Sequence, residues 1–169
     1  MVSGNLNVNE LISKLTEELK QYITQKQLDD PLIIGIRTGG VWIAERLHTA
    51  LELDSPISTL DISFYRDDFS QIGLNPKVQA SQLASPTEGR HIILVDDVIM
   101  SGRTIRAALN ELFDYGRPAS VTLVTLLDLQ RRELPIQADI CGGVLTLGSN
   151  QQVKLLGPDP LLLDIRQKD

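Results

Sequence analysis

Short apolar runs recur along the chain at intervals that predict separate strands of one sheet. Each run is too short for a helix, is rich in Ile, Val or Leu, and is mostly continuous rather than alternating. The predicted strands are residues 32–36, 57–64, 92–95 and 119–127, with 153–156 as a last candidate. Continuous apolar runs are typical of strands covered on both faces, as in parallel sheets.

Between these runs, apolar residues repeat with the spacing of a helical face. Residues 7–28 form the longest case, with Asn7 and Glu10 as a capping pair at the start. Its stripe comprises Val8, Leu11, Ile12, Leu15, Leu19, Tyr22 and Ile23. A second helix has Val41, Ala44, Leu47 and Leu51 on one face, and a third has Ile105, Ala108, Leu109, Leu112 and Phe113, ending before Gly116 and Pro118. Alternating strands and helices predict one α/β domain over residues 1–169, with an open, mainly parallel twisted sheet flanked by helices.

Residues 65–89 break this pattern. They show no sustained period and hold two prolines, two glycines and many polar residues. A long aperiodic segment in a compact domain is usually functional or disordered, and we expect a mobile loop or hairpin over the site. The chain beyond Asp128 predicts a turn and a short strand, and residues 157–169 carry no pattern that assigns them to an element.

Composition narrows the class of protein. The net charge of −6 opposes non-specific nucleic-acid binding by the whole chain, because phosphate contacts need clustered Lys and Arg. The single cysteine, Cys141, fits a reducing cytoplasm. The start of the chain lacks a basic and apolar leader, and no apolar run is long enough for a membrane span. We therefore expect a cytoplasmic protein with no membrane partner.

The richest chemistry follows the apolar run 92–95. Two aspartates, Asp96 and Asp97, come first, and a Ser-Gly-Arg-Thr turn (101–104) then opens a helix. Backbone N–H groups at a helix N-terminus can cradle a phosphate. Carboxylates beside it can accept hydrogen bonds from sugar hydroxyls, and we expect them to be hydrated at the strand tip. A phosphate cradle beside a diol acceptor predicts a site for a phosphorylated ribose.

A second corner repeats this arrangement. The predicted strand 32–36 ends in Arg37-Thr38-Gly39-Gly40, and a helix follows. This sequence predicts a second anion-binding turn at the same edge of the sheet. From these residues alone, Arg37 is either a ligand for the anion or an ordinary surface arginine at a strand end.

Several segments together resemble the type I phosphoribosyltransferases. VDDVIMSGRT resembles their 5-phosphoribosyl-1-pyrophosphate (PRPP) motif, and IGIRTGGV resembles their pyrophosphate loop. LDISFYRDD is similar to the start of their catalytic loop, and RELPI is particular to the PyrR branch, which comprises pyrimidine operon regulators and uracil phosphoribosyltransferases. The resemblance covers about residues 7–156.

This resemblance implies a type I phosphoribosyltransferase fold and transfer of phosphoribose from PRPP to uracil, giving UMP and pyrophosphate. It implies Mg²⁺ as cofactor, held mainly by PRPP oxygens, with Asp96 and Asp97 as candidate contributors and no site made by the protein alone. It also implies a homo-oligomer, a dimer or larger. Asp97 and Arg66 would be catalytic, and Asp128 would line the base pocket. The pyrophosphate would meet Arg37, Thr38, Gly39 and Gly40, and the rest of PRPP would meet Asp96, Asp97, Val98, Ile99, Met100, Ser101, Gly102, Arg103 and Thr104.

Three departures from the family pattern keep alternatives open. Gly39 stands where typical members have arginine, which favours a catalytically weak nucleotide sensor of the pyrimidine operon as the alternative function. On this reasoning Gly39→Arg should raise turnover or PRPP affinity. Leu129-Gln130 replaces Arg-Gly, so another base is a further alternative. The first helix offers only Lys14, Lys20 and Lys26 among several acidic residues, so we expect weak or absent sequence-specific RNA binding.

Overall fold

The computed structural model of the protein describes residues 6–62 and 82–168. In this part of the chain there are three helices: α1 (Val8–Lys26), α2 (Gly39–Leu51) and α3 (Arg103–Asp114). The strands are β1 (Leu32–Ile36), β2 (Ser58–Leu60), β3 (His91–Ile99), β4 (Ser120–Asp128), β5 (Ile140–Val144), β6 (Gln151–Leu156) and β7 (Leu162–Gln167). Arg66 and most of the aperiodic segment lie outside the described residues.

Five strands form one sheet in the order β2-β1-β3-β4-β5, and every neighbouring pair is parallel. Strands β6 and β7 form a separate antiparallel pair. The predicted α/β class and parallel sheet are confirmed. This order brings the carboxyl ends of β1 and β3 side by side, so the two predicted anion turns lie at the same edge.

Side-chain alternation along the central strands divides the core into two layers. On one face Ile33, Ile93 and Val95 pack with α1 and α2, and on the other Ile92 and Leu94 pack with α3. Both faces are buried, which explains why the strands are continuously apolar in sequence. Helix α1 begins where predicted, because Asn7 Oδ1 accepts a hydrogen bond from Glu10 N at 3.2 Å.

Three elements differ from the sequence prediction. Strand β3 continues to Ile99, four residues beyond the apolar run, because its backbone still pairs with β4 from Asp96↔Thr125 to Ile99↔Asp128. Strand β2 covers only Ser58–Leu60 of the predicted 57–64, and the described residues after it, Asp61 and Ile62, are buried without strand pairing. The unassigned tail supplies β7.

Phe113 also departs from its predicted place on the buried face of the third helix. Its side chain is 54% exposed. It lies four residues after half-buried Leu109, at the margin of the stripe, whereas Ile105, Ala108 and Leu112 at its centre are buried. No helix in residues 6–62 and 82–168 combines the length and apolar character that a membrane crossing requires.

Cys141 lies in β5, half-buried against β4. Its Sγ donates to the carbonyl oxygen of Gly143 at 3.1 Å. Burial raises the pKa of the Cys141 thiol above its ordinary value, because a thiolate loses solvation there.

We therefore expect the Cys141 thiol to resist alkylation in the native protein. At pH values below the ordinary pKa of a thiol, a raised pKa lowers the thiolate fraction by about tenfold for each pKa unit. Iodoacetamide should react more slowly with native than with urea-unfolded protein, and the difference should shrink as the pH rises towards the native pKa. Mass spectrometry of quenched samples measures both rates. Equal rates at about pH 8 would contradict a shielded thiol.

Candidate functional site

The predicted phosphate turn (residues 101–104) joins β3 to α3. Gly102 caps the helix with φ +94°, a conformation that side-chain-bearing residues rarely adopt. Gly102 itself provides no side-chain capping hydrogen bond to the first turn of α3. Arg103 N donates to Ser101 Oγ at 3.1 Å. The turn thus has the geometry of an anion cradle at a helix N-terminus.

The two aspartates before the turn differ in environment. Asp96 is only 6% exposed, which corrects the expectation that both are hydrated at the strand tip. The cause is the extended pairing of β3, which keeps Asp96 inside the sheet. Asp96 Oδ1 accepts from Asp97 N at 2.9 Å, and Asp97 Oδ1 accepts from Val98 N at 2.8 Å. Both carboxylates are therefore held by the backbone, and half-buried Asp97 is the more accessible.

The second predicted anion turn begins with a cis peptide bond between Arg37 and Thr38. Arg37 N donates to Leu60 O at 2.9 Å, and Arg37 Nη2 donates to Thr59 Oγ1 at 3.3 Å. Within residues 6–62 and 82–168, the buried Arg37 Nε has no hydrogen-bond partner. The guanidinium is thus anchored on one side and retains unused donor capacity.

The two turns are in direct contact. A Cβ added to Gly39 would lie 2.2 Å from Asp97 Oδ2, and one added to Gly40 would lie 2.4 Å from Val95 O. The Asp97 carboxylate therefore occupies the space beside Gly39, at the first residue of α2. A carboxylate at a helix N-terminus is favoured by the helix dipole.

A cavity of about 370 Å³ lies at this edge of the sheet. Its lining from the predicted motif comprises Asp96, Val98, Ile99, Met100, Ser101, Gly102 and Thr104. Arg103 is not part of the lining, because its side chain turns to Glu133. The opposite wall comprises Gln151, Gln152, Val153 and Lys168, together with Leu129 and Arg131. Of these, Gln151, Gln152 and Lys168 were not predicted from the sequence to lie near the site.

Asp128 does not reach this cavity. Its Oδ1 accepts from Gln130 N at 2.7 Å, and the residue lines a neighbouring cavity of about 220 Å³ with Met100 and Arg132. Leu129, the next residue, is the one that lines the larger cavity. The residue at the end of β4 that lines the main cavity is therefore the apolar Leu129, not Asp128.

Arg131 holds the hairpin wall, which is the part of the cavity lining that the β6–β7 hairpin provides (Gln151, Gln152, Val153 and Lys168). Its Nη2 donates to the carbonyl oxygens of Leu147 and Gly148, in the connection between β5 and β6. This links the end of β4 to the base of the β6–β7 hairpin. Sequence patterns do not predict this contact, because the acceptors are backbone atoms 16 and 17 residues further along the chain.

Comparison with known proteins identifies the family to which this geometry belongs. Residues 4–157 match the model of the phosphoribosyl transferase domain. The chain belongs to the phosphoribosyltransferase family. Its relatives named Bifunctional protein PyrR place it in the PyrR branch: it is 58% identical to that of Pseudomonas fluorescens over 156 residues (92% of this chain, 93% of the relative) and 56% identical to that of Pseudomonas syringae pv. tomato over 160 residues (95% and 94%).

Solved phosphoribosyltransferase structures share the fold. A hypoxanthine-guanine phosphoribosyltransferase of Bacillus anthracis has a TM-score of 0.68 at 22% identity, covering 86% of this chain and 85% of that chain. The hypoxanthine phosphoribosyltransferase of Trypanosoma cruzi has a TM-score of 0.70 at 19% identity, covering 99% and 98%. The family places the protein among the pentosyl-transferring glycosyltransferases.

We expect Arg131→Ala to loosen the hairpin wall. Removing hydrogen bonds from a charged donor to two backbone carbonyls should lower the free energy of unfolding by about 1–2 kcal/mol. It should also speed amide exchange across residues 145–150. Urea unfolding and hydrogen exchange by mass spectrometry measure the two effects.

Arg132→Ala is the matched control, since the exposed Arg132 donates only to Gln137 Oε1 in the described structure. We expect that variant to leave exchange at 145–150 unchanged. The same exchange pattern in both variants would mean that Arg131 does not fasten the hairpin.

Proposed function

We propose that this protein is a Mg²⁺-dependent uracil phosphoribosyltransferase that converts uracil and PRPP to UMP and pyrophosphate and takes part in regulating pyrimidine biosynthesis genes. The observation that carries the transfer chemistry is the contact between Asp97 and Gly39. It joins a phosphate cradle, a pair of carboxylates and a second anion turn within one site. PRPP carries a 5′-phosphate, a ribose diol and a pyrophosphate, which require these three features.

In this proposal each feature stabilises one part of the reacting PRPP. Backbone N–H groups and hydroxyls of residues 101–104 bind the 5′-phosphate. Asp96 and Asp97 accept hydrogen bonds from the ribose hydroxyls, and the charge of Asp97 stabilises an oxocarbenium-like transition state at C1. Arg37 and Thr38 bind the departing pyrophosphate. Arg66, outside the described residues, is proposed to reach the same leaving group.

The residues of the site fit a magnesium ion that arrives with its substrate. Within residues 6–62 and 82–168 there is no group of three or more His, Cys, Asp or Glu side chains that could hold a metal ion. Mg²⁺ is commonly bound by one or two carboxylates together with substrate phosphates and water. Asp96 and Asp97 are the carboxylates that would contribute, and the ion would neutralise charge on the leaving pyrophosphate.

Uracil is proposed as the base because of the resemblance to the PyrR branch and the chemistry of the hairpin wall. Gln151 and Gln152 can each donate and accept hydrogen bonds, and both line the main cavity. A pyrimidine presents both kinds of group at its edge. Asp128 lines the neighbouring cavity and Leu129 lines the main one. Asp128 is therefore proposed to contribute to the base pocket only by positioning the loop that carries Leu129.

A second candidate function is a catalytically weak sensor of pyrimidine nucleotides. Gly39 favours it, because the pyrophosphate turn lacks the arginine of typical members. We expect sequence-specific RNA binding to be weak, because the lysines of α1 are interspersed with Glu10, Glu17 and Glu18. Under either function, the protein is proposed to be a homo-oligomer, either a dimer or larger.

The function is tested by incubating the protein with PRPP, Mg²⁺ and each free base, and identifying the product nucleotide by mass. We expect UMP with uracil and little product with hypoxanthine or guanine. Product formation with a purine instead would overturn the base assignment. Tight UMP binding without turnover for any base would establish the sensor.

We expect Asp96→Asn with Asp97→Asn to abolish PRPP binding while the fold survives. Each asparagine keeps a side-chain oxygen for the backbone N–H that the aspartate now accepts, but removes the negative charge. Calorimetry with PRPP and Mg²⁺ measures affinity, and circular dichroism checks the fold. Asp114→Asn, exposed at the end of α3, is the control. Wild-type affinity in the double variant would refute the ribose role.

The Gly39 contact leads to the opposite expectation from the sequence, on which Gly39→Arg should raise turnover or PRPP affinity. A Cβ at this position would lie 2.2 Å from Asp97 Oδ2, so the Asp97 carboxylate would have to shift. We expect Gly39→Ala and Gly39→Arg to lower kcat by at least about tenfold, the effect of losing one charged stabilising contact. Gly143→Ala in β5, whose Cβ would meet the flexible Leu11 side chain at 3.3 Å and which does not border the main cavity, is the control. Unchanged kcat in Gly39→Ala would show that Asp97 tolerates displacement.

A further inference from the structure

The segment 132–136, which contains the RELPI sequence, packs against the back of the phosphate turn. Glu133 N and Leu134 N both donate to the carbonyl oxygen of Ser101, at 2.9 and 3.3 Å. A Cβ added to Gly102 would lie 3.4 Å from Ile136 Cβ and 3.6 Å from Leu134 Cβ. The segment therefore holds the turn through two backbone hydrogen bonds, and the side chains of Leu134 and Ile136 lie close to Gly102.

The shape of this segment suits it to that contact. Ile136 N donates to Leu134 O at 2.8 Å, which closes a tight turn around Pro135. Pro135 has no N–H, so Glu133 and Leu134 provide the N–H groups that donate to the Ser101 carbonyl oxygen. Arg132 Nη1 donates to Gln137 Oε1 at 2.9 Å and closes the base of the segment.

Holding the Ser101 carbonyl determines where the next N–H points. In a planar trans peptide the C=O of one residue and the N–H of the next point in opposite directions. With Ser101 O bound to segment 132–136, the Gly102 N–H is directed to the other side of the turn. Ser101 and Gly102 border the main cavity, so that side is the one a phosphate would approach.

We propose that segment 132–136 is a positioning element, with Leu134 at its centre, that fixes the Gly102 N–H for the 5′-phosphate of PRPP and of the product nucleotide. The identity of this ligand rests on the proposed function. Glu133 adds a second effect, since its Oε1 lies 3.0 Å from Arg103 Nε. Both side chains are more than half exposed, so the pair adds little stability, but it keeps the arginine outside the cavity lining.

The test separates the two anion turns by ligand. Ribose 5-phosphate requires the phosphate turn, whereas pyrophosphate with Mg²⁺ requires the Arg37 turn. We expect Leu134→Pro, which removes the N–H that donates to Ser101 O, to weaken ribose 5-phosphate binding by about tenfold, as for a displaced phosphate hydrogen bond, and to leave pyrophosphate binding unchanged. Leu134→Ala keeps this N–H and the Cβ, and should retain the affinity. Leu53→Ala, a half-buried leucine after α2, is the matched control and should change neither affinity.

Hydrogen exchange in the ligand-free protein provides an independent readout. Leu134→Pro should speed exchange of the amides of residues 102–104, and Leu134→Ala and Leu53→Ala should not. Unchanged exchange there, or an equal loss of affinity for both ligands, would overturn the positioning role. If the wild-type protein failed to bind ribose 5-phosphate, the proposed function would fail, while the exchange result would still decide whether the segment holds the turn.

Discussion

The close approach of the β1–α2 turn to β3 is the constraint on which the site depends. A Cβ on Gly35 would lie 2.7 Å from Val41 Cα, and Cβ atoms on Gly39 and Gly40 would overlap Asp97 and Val95. Glycine at these three positions lets the start of α2 lie against the neighbouring strand. Parallel pairing of β1 and β3 then brings the second anion turn to the carboxylates of the first. Without this contact, the two turns would be separate corners of an ordinary α/β sheet.

Backbone groups hold most of the remaining site geometry. Asp96 and Asp97 are oriented by N–H groups of the next residue, and the Ser101 carbonyl is held by residues 133 and 134. The hairpin wall is fastened by Arg131 through two carbonyl oxygens. In each of these bonds at least one partner is a backbone group, so the fold itself fixes the position of that partner. A site made this way is preorganised for a ligand with several fixed charges.

The sequence predicted those parts of the molecule whose signals are local. Helix α1 with its Asn7 cap and strand β1 follow from short-range patterns, and so does the Gly102 turn at the start of α3. Strand β7 gave no signal because most of its side chains are exposed and prolines precede it. The burial of Asp96 depends on pairing with β4, and the Asp97–Gly39 contact depends on two strands meeting. Both features arise from tertiary contacts, which the periodicity of apolar residues in the sequence does not predict.

The two sides of the main cavity differ in what fixes them, and this difference bears on base choice. The ribose-phosphate side is built from glycines and backbone bonds, so few substitutions there preserve the geometry. The opposite side is built from side chains, namely Leu129, Gln151 and Gln152, on a loop and a hairpin that Arg131 holds through backbone carbonyls of the β5–β6 connection. Substitutions there change hydrogen-bonding groups without disturbing the sheet. Structures named for hypoxanthine and guanine share this fold at about one-fifth identity. In the proposed function, a fixed phosphoribose side facing a wall of side chains leaves the choice of base to the hairpin rather than to the PRPP motif.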